Sequence, residues 1–164
     1  MLKTGRTVSI GNQDFEVIRK KNYFYVDKTH FIKEWWENGD SVTLITRPRR
    51  FGKTLCMSMV ESFFSVRYKE KGQLFEGLQI WNSDKFRHLQ GTFPVISLSF
   101  ANIKESDYRT ARKKMCQTLS DLYSEYEFLM DQNILGDRGK RFFKSVSSDM
   151  DDATATMAIH KLSR

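Results

Sequence analysis

The stretch VTLITRPRRFGKTLCMSMVESFF, residues 42–64, decides the predicted fold, because it predicts a strand, a turn and a helix in direct succession. Residues 41–46 are β-branched and largely apolar, which is typical of a strand buried on both faces. Pro48 ends that strand, and the run after Gly52 carries apolar residues at helical spacing. Those residues are Leu55, Met59, Val60, Phe63 and Phe64. We therefore expect a strand–loop–helix unit.

The turn of this unit, residues 47–54, matches the phosphate-binding pattern GxxxxGK[ST] except at its first position, where Arg47 replaces glycine. In such a loop the N-terminus of the following helix points at the anion. Gly52 permits close approach of the backbone to phosphate. Lys53 can reach the outer phosphates, and the Thr54 hydroxyl can join a Mg²⁺ shell. The sequence predicts a nucleotide site, and a basic turn that contains Gly-Lys-Thr by chance is the alternative.

Pro48 offers another way to turn the chain, because it fixes its own φ and biases Arg47 towards an extended conformation. The three arginines of the loop could donate charge-assisted hydrogen bonds to phosphate, or face solvent or a nucleic-acid backbone. Phe51 is expected to pack against the domain rather than to stack on a base. The candidate nucleotide-binding residues are Arg49, Arg50, Phe51, Gly52, Lys53, Thr54 and Leu55, and Thr54 is also the candidate Mg²⁺ ligand.

The composition allows one domain with a substantial core and favours an anionic partner. The 164 residues include 27 Lys or Arg against 20 Asp or Glu, which gives a net charge of +7. Cys56 and Cys116 do not make a disulfide framework, so we expect a reducing cytoplasm and two buried packing residues. The chain has neither an apolar signal-peptide region nor a run of about 18 apolar residues, so no membrane span is predicted.

Helices are predicted on both sides of this unit. Residues 27–40, DKTHFIKEWWENGD, are expected to form a helix that Asp27 or Thr29 caps. A long amphipathic helix is predicted over residues 107–130, followed by two short helices, the second capped near Asp151 or Asp152. A second strong strand is predicted over FPVISLSF, residues 93–100. Strands separated by helices indicate an α/β fold with helices flanking a parallel sheet.

Four segments in order give the sequence a family resemblance: YVDKTHFI, RPRRFGKTLCMSMVESFF, LFEGLQIW and FPVISLSF. Over residues 15–164 the chain resembles the AAA-ATPase-like domain of a large group of bacterial proteins, in which the loop itself reads RPRRFGKT. The resemblance implies a P-loop NTPase fold with a parallel sheet, and ATP with Mg²⁺ as ligands. Members of that group commonly carry a restriction-endonuclease-like domain further downstream, which would bring nucleic acid as a partner.

Hydrolysis of ATP needs an acidic pair after a later apolar strand, where one carboxylate orients Mg²⁺ and the other polarises water. FPVISLSF ends without a carboxylate, and the acids of residues 147–152 follow no apolar strand. In the resembling family the strand with this pair follows the segment that ends here in AIHKLSR. We therefore expect residues 1–164 to be the N-terminal part of one larger domain, with 1–26 as a lead-in and 27–164 as an incomplete α/β core. Such a chain is expected to be marginally stable or prone to aggregation, and not to hydrolyse ATP alone.

Two readings of the function follow. The first is an ATP-binding module that drives or gates an attached effector in a larger ATPase, favoured by the strand–loop–helix order and the resemblance. The alternative is a basic P-loop relic that binds nucleic acid or a partner protein without turning over ATP, favoured by the arginines and the missing acids.

Outside the loop there are few candidate functional residues. His30, His88 and His160 are far apart in sequence, and no metal site is expected from them. In the resembling family, Asp27 and Lys28 belong to a recurring stretch and could border the adenine or ribose, with helix capping as the simpler alternative.

Overall fold

The computed structural model describes residues 5–48, 50–131 and 134–163. The chain divides into two compact units, the first ending at Val95 and the second starting at Ile96. Each unit has its own cluster of buried apolar side chains. Within the described ranges, no helix is long and apolar enough to cross a membrane.

The first unit consists of helices joined by extended segments. Its described helices are α1 (Phe15–Lys20), α2 (His30–Asn38), α3 (Lys53–Phe64), α4 (Asp84–Leu89) and the 3₁₀ helices Val66–Phe75 and Gln79–Asn82. The predicted helices at α2 and α3 are confirmed, and α2 ends at Gly39 in the left-handed conformation with φ 68°. Sequence analysis missed α1, because six residues are too few for apolar periodicity to be recognised. Its start is marked by Asp14, whose carboxylate accepts from the N–H of Val17 at 3.1 Å.

The core of the first unit is built around the second half of α3. Met59 and Phe63 on this helix are fully buried. The ring of Phe63 lies edge-on to those of Phe64 and Phe75, with centroids 5.0 and 5.1 Å away. Phe75 in turn packs on Phe15 of α1 at 5.1 Å. Burial of these aromatic rings therefore fixes α3 against the elements on either side of it in sequence.

The second unit is a separate helical cluster. Its described helices are α5 (Tyr108–Glu125), α6 (Phe128–Asp131), α7 (Asp137–Ser145) and α8 (Asp152–Leu162). Cys116, Leu119 and Tyr123 of α5 are buried in one cluster with Ala158 of α8. The Tyr123 hydroxyl donates to the Ala158 carbonyl at 2.7 Å. The predicted long helix and the two short helices after it are confirmed, although the long one is interrupted between Glu125 and Phe128.

The predicted parallel sheet is wrong. The described residues contain no strand ladder, and a single parallel bridge joins Ser65 to Phe93. Residues 42–48 have no regular structure, and Val42 and Leu44 are 87% and 82% exposed. A strand is stabilised by backbone hydrogen bonds to a neighbour, and no described segment supplies them to residues 42–46. The apolar pattern that predicted a buried strand is therefore left on the surface.

Of the second predicted strand, only its first residue, Phe93, forms a β-bridge. The N–H of Phe93 donates to the Phe64 carbonyl at 2.9 Å, and its carbonyl accepts from the N–H of Val66 at 2.8 Å. The rings of Trp36 and Phe64 pack around it, with centroids 5.4 and 5.9 Å away. Residues 94–100 form no strand. This apolar run is thus anchored at the C-terminal end of α3 instead of pairing with residues 41–46.

Asp27 and Thr29 fasten the segment before α2 to the 3₁₀ helix Gln79–Asn82. One carboxylate oxygen of Asp27 accepts from the N–H and the hydroxyl of Thr29, at 2.8 and 2.7 Å, and the other from the N–H of Gln79 at 2.7 Å. Thr29 is fully buried, and its hydroxyl oxygen accepts from the N–H of Ile80 at 3.2 Å. Burial alone would raise the pKa of Asp27, but its hydrogen bonds with Gln79 and Thr29 outweigh burial and lower it.

Removing an exposed apolar residue of the stretch 42–46 should cost far less stability than removing a core residue of α3. We expect Leu44→Ser to change the free energy of unfolding by less than about 0.5 kcal/mol, because the residue is 82% exposed. Phe63→Ala should lower it by about 3–5 kcal/mol, because the ring is buried. Urea denaturation measures both changes. A loss of about 2 kcal/mol or more in Leu44→Ser would show that this side chain is buried in solution.

Asp27 should stabilise the fold in a pH-dependent way. The pKa of Asp27 is lower in the folded chain than the usual 3.8. Its contribution to the free energy of unfolding is therefore present in full above that value and is lost as the pH falls through the folded pKa. Asp27→Asn should therefore be less stable than the wild type by about 1–3 kcal/mol near neutral pH. The difference should shrink below about pH 4. Denaturation over this pH range measures it, and a constant difference would contradict the assignment.

Candidate functional site

The start of α3 presents backbone donors at the end of the loop 47–52. Gly52 has left-handed backbone angles, φ 72° and ψ 27°, directly before the helix. Its carbonyl accepts the first helical hydrogen bond, from the N–H of Cys56 at 2.9 Å. The N–H groups ahead of that bond, those of residues 53–55, have no acceptor within the helix and carry the positive end of its dipole. This end of α3 is therefore chemically suited to an anion.

Lys53 closes the loop onto the helix. Its ammonium group donates to the Arg47 carbonyl at 2.6 Å, which joins the first residue of the loop to the first residue of α3. Between them, Arg50 has φ 70°, a left-handed conformation that costs a non-glycine residue about 1–2 kcal/mol. The loop thus turns through left-handed residues at both Arg50 and Gly52.

The predicted site residues lie in one continuous segment but differ in exposure. Four of those described are exposed to solvent: Arg50, Phe51, Lys53 and Thr54. Leu55 is half-buried against the core of the first unit. Arg49 lies outside the described residues.

The expectation that Phe51 packs against the domain is wrong. Its side chain is 60% exposed. Pro48 and Arg50 are exposed with it, so this part of the loop is largely open to solvent.

Lys28, from a different segment, reaches the same end of α3. A Cβ on Gly52 would lie 3.2 Å from Lys28 Nζ, so the absence of a side chain leaves room for the ammonium group. The charge of Lys28 also affects the pKa of the Cys56 thiol. Burial raises this pKa, and the positive charges of Arg47 and Lys28 oppose the rise. From the sequence, Lys28 was considered only as a residue that could border the adenine or ribose, with helix capping as the alternative. The sequence feature that could have pointed to Lys28 is its position in the segment YVDKTHFI.

The site is positively charged and lacks carboxylate partners. Within the described part of the chain, none of Lys28, Arg47, Arg50 and Lys53 forms an ion pair. The described residues also contain no group of three His, Cys, Asp or Glu side chains suited to a metal ion. Both cysteines are buried and free, as expected. The arrangement therefore suits an anion rather than a bare metal cation.

Comparison with known proteins identifies one family. Residues 9–159 match the AAA-ATPase-like family described as "Predicted AAA-ATPase". Over 119 residues the chain is 34% identical to a protein of Azotobacter chroococcum mcd 1 described as "Uncharacterized protein in vnfD 5'region". That match covers 70% of this chain and 21% of the relative, so the chain spans about a fifth of the relative's length. No solved structure matches it.

The family match extends over both structural units and includes the whole loop and α3. The chain therefore belongs to the AAA-ATPase-like family of predicted AAA-ATPases.

Proposed function

We propose that the chain binds ATP and that the loop 47–54 with the first turn of α3 holds its phosphates. The N–H groups of residues 52–55 donate to phosphate oxygens, and Lys53 neutralises the β- and γ-phosphates. The side chains of Arg50 and Phe51 border the nucleotide. Membership of a family described as AAA-ATPases supports the choice of nucleotide.

The observation that carries this proposal is the junction of Gly52 with α3. A left-handed glycine, free helical N–H groups and a lysine on the first helical residue lie within four residues of one another. A triphosphate concentrates several negative charges at one end, so it matches several donors and cations better than a single carboxylate does. The Lys53 bond to the Arg47 carbonyl must break for the ammonium group to reach phosphate. A phosphate oxygen competes for the ammonium group because it is anionic, and so adds a charge–charge attraction that the neutral carbonyl lacks.

Mg²⁺ would enter the site together with ATP. The Thr54 hydroxyl is exposed on the first turn of α3, one residue after Lys53, and is an oxygen ligand of the kind that Mg²⁺ accepts. A bound Mg²⁺ would neutralise phosphate charge. The proposal ends at binding, because hydrolysis requires carboxylates and the loop residues are basic, apolar or hydroxyl-bearing.

We infer that this module serves a larger protein. The A. chroococcum relative extends far beyond the matched region. In the proposal, ATP binding here drives or gates an effector attached in the same chain, and a nuclease acting on nucleic acid is one such effector. The free cysteines and the choice of ATP fit a cytoplasmic setting.

The alternative function is a basic module that binds nucleic acid without nucleotide turnover. The exposure of Phe51 favours it, because an aromatic ring among Arg47, Arg50 and Lys53 could stack on a base while the cations contact the backbone. ATP binding separates the two functions, since the alternative does not require it.

Lys53→Ala should weaken Mg-ATP binding by about tenfold or more, because it removes a charge-assisted hydrogen bond to phosphate. Isothermal titration calorimetry on the wild type and the variant measures the change. AMP, which lacks the β- and γ-phosphates, should bind weakly to both proteins.

Lys69→Ala is the matched control. Lys69 is also exposed, but it follows the C-terminal end of α3, and the 12 residues of that helix span about 18 Å. Its removal should leave ATP affinity unchanged. Absence of ATP binding by a folded wild-type chain, together with binding of single-stranded DNA that depends on Phe51, would favour the alternative.

A further inference from the structure

The residues on either side of Lys28 are fully engaged in holding the chain. The Asp27 carboxylate accepts from Thr29 and Gln79, and the buried Thr29 hydroxyl accepts from Ile80. These bonds fix the backbone of residues 27–29 against the core of the first unit. Lys28, between them, forms no ion pair within the described chain and has its ammonium group beside Gly52.

Lys28 and Gly52 are matched in shape. The distance of 3.2 Å between Lys28 Nζ and the position of a Cβ on Gly52 is tight, so a larger residue at 52 would press against the ammonium group. The ammonium group therefore lies directly over the backbone that starts α3. The first helical N–H groups, which suit an anion, begin at the residue after Gly52.

We propose that Lys28 is a second phosphate-binding lysine, which acts on the same polyphosphate as Lys53 from a separate segment of the chain. The inference rests on the proposed function of the loop. It assigns Lys28 to the phosphates of the nucleotide, rather than to its adenine or ribose, because its charge lies at the Gly52 end of α3. Asp27 and Thr29 position Lys28 and touch no ligand.

The electrostatics of the site give this assignment a distinctive consequence. Lys28 and Arg47 both act on the Cys56 thiol, so like charges converge on this end of α3. Like charges repel in the free protein, and a bound polyphosphate reverses the sign of that interaction. Removal of the Lys28 charge should therefore weaken ligand binding without destabilising the free chain, whereas removal of a structural lysine would do the reverse.

The test uses Lys28→Met, which keeps the apolar stem and removes the charge, and Lys28→Arg, which keeps the charge. Binding of Mg-ATP and of inorganic pyrophosphate is measured by calorimetry, and the melting temperature of each free protein is recorded. We expect Lys28→Met to lose about tenfold in affinity for both ligands while its melting temperature stays equal to or above that of the wild type. Lys28→Arg should retain most of the affinity, and the control Lys69→Ala all of it.

The outcomes separate the two proposals. If the wild type binds neither ligand, the proposed function fails and this inference fails with it. If the wild type binds and Lys53→Ala does not, but Lys28→Met binds as well as the wild type, only the Lys28 assignment is overturned. If Lys28→Met loses affinity for ATP but keeps its affinity for pyrophosphate, the Lys28 assignment is also overturned, because Lys28 would then contact the nucleoside.

Discussion

The burial of Met59 and Phe63 is the constraint on which the rest of the first unit depends. It fixes the second half of α3 in the aromatic core, where Phe15, Phe75 and Phe86 are also fully buried. The first turn of the same helix is exposed at Lys53 and Thr54. One helix therefore supplies both the core that holds it and the free N–H groups that face solvent. Packing holds the C-terminal half of α3, and the N–H groups of its first turn have no acceptor within the helix.

Charge at this end of α3 is assembled from two places in the sequence. Arg47, Arg50 and Lys53 come from the loop, and Lys28 is held beside it by the hydrogen bonds of Asp27 and Thr29. Concentrating cations costs stability in the free chain, and the left-handed Arg50 adds about 1–2 kcal/mol of backbone strain. Uncompensated charge and local strain in one loop are common where a protein is preorganised for a ligand.

Most helices were predictable from this sequence, whereas the predicted sheet is not found in the described residues. α2, α3 and α5 show apolar spacing over nine or more residues and carry recognisable ends, such as Gly39 after α2 and Asp107 before α5. The six residues of α1 show too little periodicity. The stretch 41–46 has strand-forming residues, but a strand also needs a partner, and the partner is not encoded in the strand's own residues. Within the site, contiguous residues such as Lys53 were accessible to pattern analysis, whereas the position of Lys28 depends on tertiary contacts.

The central claim is that the Gly52 end of α3 binds polyphosphate. The most direct test is the backbone NMR spectrum of the chain during titration with Mg-ATP and, separately, with AMP. The account predicts that the amide signals of Gly52, Lys53, Thr54 and Leu55 shift and saturate with ATP and move little with AMP. Unchanged signals at these residues, or shifts confined to α5 and α7, would contradict it.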